Sequence, residues 1–256
     1  MSEVIFSIAR HAAWAPGATS AEQWDAWARE PWVLAGAEEP KVSAMPAMLR
    51  RRAGFLGRMA LEVAYQCIGE QGGEKDDVPV VFCSRHGEVA RAVALLDDLA
   101  RGEPLSPTAF GLAVHNASAG LFSIARANRA NHVALAGGPA TLEYAVIEAC
   151  GMLADGAPMV LLVACDEPLP ELLSGFEDCD EQPFAFAWAM VPAGEQPLRL
   201  SWRADDTPDA PPRTPGTPDA PPRTPGALEV LRFQMKGEAP LVRHAAERRW
   251  TWSRDA

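Results

Sequence analysis

Residues 106–145 read SPTAFGLAVHNASAGLFSIARANRANHVALAGGPATLEYA, and three elements follow one another in them. Asn116 stands where a helix cap belongs, ahead of the small residues Ala117, Ser118, Ala119 and Gly120 and the apolar Leu121, Phe122 and Ile124. A short apolar run over 132–136 comes next. Gly137-Gly138-Pro139 then turns into a second helix from Thr141, where Leu142, Ala145, Val146, Ala149 and Leu153 recur at helical spacing. Strand, sharp turn and helix is the layout that presents a reactive side chain at a helix N-terminus, where the macrodipole favours a thiolate or an oxyanion. The turn itself holds two glycines and a proline. It is a nucleophile's seat with no nucleophile in it.

Around this stretch the chain alternates between the two periodicities. PVVFC (79–83), PMVLLVAC (158–165) and FAFAWAMV (184–191) are apolar on both faces, as strands are inside a sheet covered on both sides. Residues 4–9, 198–203 and 248–254 read as further strands. Helices are expected over 21–29, with Trp24 and Trp27 on one face, and over 88–101, with Val89, Val93, Leu96 and Leu99 inward. Another is expected over 227–236. The longest is expected over 45–68, with Arg50, Arg51 and Arg52 interrupting its first turns. Strands separated by helical patterns predict an α/β layered fold with a mixed sheet.

The same residues resemble a known family. Ser106-Pro107, Phe110, Val114, Asn116-Ala117, Ala119-Gly120 and Ser123-Ile124 follow a pattern of the β-ketoacyl synthases, and residues 133–140 lie where that family carries its catalytic Cys. Gly137 or Gly138 falls at the Cys position. The resemblance covers residues 4–191 and is closest to the short synthase-like chain length factors of aryl polyene pigment gene clusters. It implies one half of a thiolase-like fold, with a mixed five-stranded sheet covered by helices. It further implies a domain over 1–203, a linker over 204–226 and a C-terminal helix and strand over 227–256 packing back on the domain. The linker holds TPDAPPRTPG twice in succession, a composition that favours extended chain.

The function implied is that of a non-catalytic subunit. Such a subunit pairs with a full-length β-ketoacyl synthase as a heterodimer and shapes the cavity for the growing acyl chain. Its partner interface is expected at Asn116, Ala119, Gly120, Asn131, Val133 and Leu135. In thiolase-like dimers the strand before the nucleophile pairs across the dimer axis, and a half-fold leaves further apolar surface exposed. An acyl carrier protein is a further partner, reached chiefly through the synthase, with Arg50, Arg51 and Arg52 as a docking point. The family's two catalytic histidines come from the second half of its fold, which this sequence does not reach. No cofactor is expected.

Composition bounds the alternatives. A net charge of −11 argues against nucleic acid as a partner. Five cysteines, odd in number and without a C-x-x-C spacing, predict reduced, buried thiols and no metal site. No window is apolar for long enough to span a membrane, and no basic-then-apolar leader is visible, which predicts a cytoplasmic protein. The competing reading is a free-standing acyl-transfer or hydrolytic enzyme using Ser84 or a thiol. Ser84 and His86 follow a strand, but a pair two residues apart places base against nucleophile poorly, and no orienting acid is evident in sequence. Asp166 and Glu167 sit before Pro168 in a turn and are expected to be solvated.

Overall fold

A computed structural model describes residues 2–69, 77–205, 223–236 and 239–254. Most of the repeated proline-rich segment, 206–222, lies outside the described residues. One mixed sheet runs through the molecule in the order β3-β2-β4-β5-β1-β6-β8-β7. Its parallel part is β3 (His132–Leu135), β2 (Val80–Cys83) and β4 (Val160–Asp166). The rest is antiparallel: β5 (Phe184–Pro192), β1 (Ser2–Trp14), β6 (Leu198–Ala204), β8 (Arg248–Arg254) and β7 (Leu241–Ala245). The sheet therefore has eight strands, not the expected five. β6, β8 and β7 extend the layer, and β7, with Arg243 and His244 in five residues, carries too little apolar pattern to read as a strand.

Two apolar layers cover the sheet. On one face Trp24 and Trp27 of α1 (Ala21–Arg29), Leu142, Ala145 and Val146 of α7 (Thr141–Ala154) and Leu228 and Leu231 of α8 (Gly226–Lys236) pack on Leu162, Phe186, Trp188, Leu200, Trp250 and Trp252. On the other, α3 (Phe55–Ile68) and α6 (Ala117–Arg126) lie on Phe82, Leu161, Val163 and the small residues Ala185, Ala187 and Ala189. Both faces of β4 and β5 are buried, as their unbroken apolar runs require. A bulge between Ile8 and Arg10 inserts one residue into β1. Phe6 and Trp14 would share a face without it; with it they enter opposite layers.

The expected helix over 45–68 is broken. α2 (Ala47–Arg50) ends in a turn through Arg51 and Arg52, and α3 starts afresh after Gly54, whose extended backbone admits no helical continuation. α4 (Val89–Ala100) contains no buried residue, and Leu96 and Leu99 point outward rather than inward. Helical spacing fixes which residues share a face but not which side that face turns to. α5 (Pro107–Gly111) is capped by Ser106, whose Oγ accepts from the Ala109 N–H at 3.2 Å. Asn116 precedes α6 in the cap position but makes no side-chain capping bond.

The C-terminal strands change the expected exposure of a half-fold. Trp250 meets Tyr144 of α7 edge to face at 5.4 Å, and Trp252 meets Trp188 at 6.4 Å. Trp250, Trp252 and Glu143 are fully buried, so the C-terminal strands cover this side of α7. No described helix is long and apolar enough to cross a membrane.

Candidate functional site

The turn after β3 sits at the C-terminal ends of the parallel strands, beside the N-terminus of α7. Gly138–Ala140 form one 3-10 turn. The Gly137 N–H donates to Thr141 Oγ1 at 2.9 Å, and that hydroxyl donates to the Gly138 carbonyl at 2.7 Å. A pocket of about 330 Å³ opens here, with Gly138, Pro139 and Thr141 on one wall and Arg85, Asp166, Asp178, Glu229 and Arg243 among its charged lining. Both signs of charge line it, so it is a poor seat for an alkyl or polyene chain.

The two glycines are not equivalent. A Cβ on Gly137 would stand 2.5 Å from Tyr144 Cδ2, in a ring held against Trp250. Gly138 has φ 56° and open space where a Cβ would go. Gly138→Cys is therefore expected to cost about 1–2 kcal/mol for its left-handed backbone. Gly137→Cys should cost more, because the ring must move. Thermal melts of both variants check the order. Neither variant is expected to condense malonyl units alone, since a thiolate at a helix N-terminus does not by itself drive decarboxylation.

Ser84 is buried. Its Oγ donates to Asp166 Oδ1 at 2.8 Å and accepts from the Gly87 N–H at 2.8 Å. The Arg85 N–H donates to the same carboxylate oxygen at 2.7 Å, and the Arg85 guanidinium grips both oxygens of Asp178. His86 turns away to Glu181 at 3.0 Å, and His115 bonds the Leu135 carbonyl at 3.0 Å. An acid does reach Ser84, contrary to the sequence reading, but neither neighbouring histidine serves it as a base. The loop is a clamp between β2 and β4.

Asp166 and Glu167 are withdrawn from water rather than solvated. Burial pushes Asp166 up to about 6 against its bonds from Ser84 and Arg85. Burial, then the charges of Glu88 and Asp166, push Glu167 up to about 7. A carboxyl with a raised pKa in the folded state holds its proton longer there than in the unfolded chain. Stability from these two groups thus falls as pH rises from the ordinary carboxylate range to about 7, and the penalty is complete above that. Glu167→Gln is expected to raise the melting temperature at pH 8 and leave it unchanged at pH 4. Melting curves across that range check the sign.

None of the thiols is activated. Burial pushes Cys67 up to about 11 and Cys150 and Cys179 up to about 12, and moves Cys83 and Cys165 well above the ordinary thiol value. All five are free. Among the described residues no three His, Cys, Asp or Glu side chains gather as a metal site would.

The residues assigned to the partner interface divide. β3 forms one edge of the sheet, with β2 on its inner side. Asn116 and Asn131 are exposed, while Gly120, Val133 and Leu135 are half-buried. Ala119 faces inward and packs in the core beside Phe122, so it is not available to a partner. The apolar surface beside the edge comes instead from Phe110, Val114 and Ile124, with Leu96, Leu99 and Leu105 beyond them, all exposed. Arg51 and Arg52 are exposed in the turn before α3, and Arg50 is half-buried and reaches the Val42 carbonyl at 3.4 Å.

The ion pair under the turn has no counterpart in the sequence reading. Glu143 and Arg243 pair in the core, Arg243 also donates to Glu229 at 3.0 Å and to the Pro139 carbonyl at 3.1 Å, and Trp252 Nε1 donates to Glu143 at 3.3 Å. The partners are far apart in sequence. The only local hint is Glu143 among apolar residues of a helix whose other carboxylate, Glu148, is exposed.

Comparison with known proteins bears on the whole chain. The β-ketoacyl synthase N-terminal domain matches residues 24–253. No curated protein matches the chain. Among solved structures, a ketosynthase (ApeO) in complex with its chain length factor (ApeC) from Xenorhabdus doucetiae aligns over 98% of this chain and 99% of that one, with a TM-score of 0.81 and 24% identity. The ishigamide ketosynthase/chain length factor aligns over 79% and 68%, with a TM-score of 0.61 and 14% identity. A β-ketoacyl synthase from Burkholderia phymatum STM815 aligns over 81% and 66%, with a TM-score of 0.59 and 12% identity. These likenesses establish a thiolase-like α/β fold, and the domain match over 24–253 establishes that the chain belongs to the β-ketoacyl synthase N-terminal domain family.

Proposed function

We propose that this chain is a non-catalytic chain length factor subunit, pairing with an active ketosynthase in the cytoplasm for aryl polyene or related type II polyketide synthesis. The observation that carries this reading is the sheet edge at β3, flanked by Phe110 and Ile124 at 70% and 66% exposure. An edge strand beside exposed apolar side chains is what a stable partner covers. The complexes of a ketosynthase with a chain length factor among the similar structures support the choice of partner. The acyl chain would meet the apolar face of α5 and α6 rather than the charged pocket at Gly138. Arg50, Arg51 and Arg52 offer positive charge to an acidic acyl carrier protein that reaches the complex chiefly through the synthase. No cofactor enters this role.

Acyl loading tests it. After exposure to an acyl-carrier thioester the purified chain is expected to keep its unmodified mass, because the turn has no thiol and burial pushes the five thiols above their ordinary range. A stable acyl adduct on any residue would overturn the reading and favour the acyl-transfer alternative.

A further inference from the structure

We infer that the outer face of the β6–β8 ladder is a binding site for a phosphate group. Arg203 stands directly opposite Arg249, and Ser201 directly opposite Thr251. Side chains alternate along a strand, so these four share one face, while Leu200, Trp250 and Trp252 turn to the core. Together with Trp202 between them they line a concavity of about 210 Å³. α3 and α6 cover the other part of that face, over β1, β4, β5 and β2.

Two guanidinium groups abreast across an antiparallel pair repel each other, a destabilising arrangement unless an anion bridges them. Among the described residues neither makes a hydrogen bond or ion pair. Of the nearby carboxylates, Asp205 bonds His244 Nδ1 at 2.5 Å and Glu3 pairs with Arg199 at 2.6 Å, while Glu247, across the end of the ladder from Asp205, makes no ion pair with either guanidinium. Each guanidinium presents a planar fork that fits two oxygens of a phosphate. The hydroxyls of Ser201 and Thr251 lie one pair further along the same face and can donate to a remaining oxygen. A dianion with three terminal oxygens suits two forks and two hydroxyls, where a carboxylate would satisfy one fork only. Arg203 and Arg249 set two positive charges side by side in a chain of net charge −11.

Calorimetry and thermal melts at constant ionic strength test the site, with inorganic phosphate, phenyl phosphate and chloride as separate arms. Both phosphates are expected to bind and raise the melting temperature above that in chloride. Arg203→Gln and Arg249→Gln should each weaken binding by about tenfold or more, the loss of a charge-assisted hydrogen bond. Thr251→Ala should have a smaller effect. In chloride, Arg203→Gln should melt no lower than the parent, since it removes a repulsion, which separates lost binding from lost folding. Tighter binding of phenyl phosphate assigns the site to a phosphomonoester, and tighter binding of inorganic phosphate to the free ion. Equal responses to phosphate and chloride, or unchanged binding by both glutamine variants, would overturn the proposal.

Discussion

Replacing Phe110 and Ile124 together by glutamate is expected to weaken binding of the cognate ketosynthase about a thousandfold, with little change in the melting temperature. Both side chains are mostly exposed, so the folded monomer loses little when they change. At an apolar interface each truncated anchor costs at least ~2 kcal/mol, and two such losses multiply to about a thousandfold in Kd. The added carboxylates would also be desolvated without a counter-ion. Val133→Arg should block the complex too. Val133 is half-buried on β3, however, and that variant burdens the fold as well as the interface. Size-exclusion chromatography with light scattering, run beside melts of the variant alone, decides the matter. A double variant that still co-elutes with the ketosynthase at parental affinity would remove the basis for placing the partner on this face.

The second large effect lies under the glycine turn. Arg243→Ala is expected to cost about 3–5 kcal/mol, because Glu143 is fully buried and would be left without its counter-charge. For a chain of this length that lowers the melting temperature by roughly 10 °C. The Pro139 carbonyl and Glu229 lose the same donor, so the pocket at Gly138 loosens as well. Replacing both partners, as Glu143→Leu with Arg243→Leu, should recover most of the loss, since burying two apolar groups avoids two desolvated charges. Denaturant unfolding of the two variants makes the comparison. A single variant costing less than about 1 kcal/mol would mean that Glu143 is not left as an uncompensated buried charge.

The elements that were legible are those whose pattern is local. VVFC, VLLVAC and FAFAWAMV carry their burial in their own composition and form β2, β4 and β5. α1 was legible from Trp24 and Trp27 on one face, and the structure adds a capping box made by Ser20 and Gln23. The glycine turn and the helix after it were likewise visible. What was not legible depends on distant partners. β7 gains its place only by pairing with β8, and the length of β1 is set by β5 on one side and β6 on the other. The exposure of Leu96 and Leu99 follows from what lies beneath α4, which no periodicity reports. Glu143 needs Arg243, and Asp166 needs the loop at Ser84 and Arg85. In each case the decisive group belongs to another part of the chain.

The position of β1 has a bearing on how the protein is made. β1, the earliest of these strands in the chain, lies in the interior of the sheet, and Trp14 pairs with Ala185, so its nearest register partner follows roughly 170 residues later. At about 5–20 residues per second, β1 waits on the order of ten to thirty seconds for β5, and longer for β6. During that interval its backbone is unpaired on both sides, while Phe55 and the rest of α3 emerge early enough to cover Trp14. Closure of the sheet is thus a late, non-local step of the slow kind that high contact order imposes. Until then that strand is open to pairing with the wrong edge.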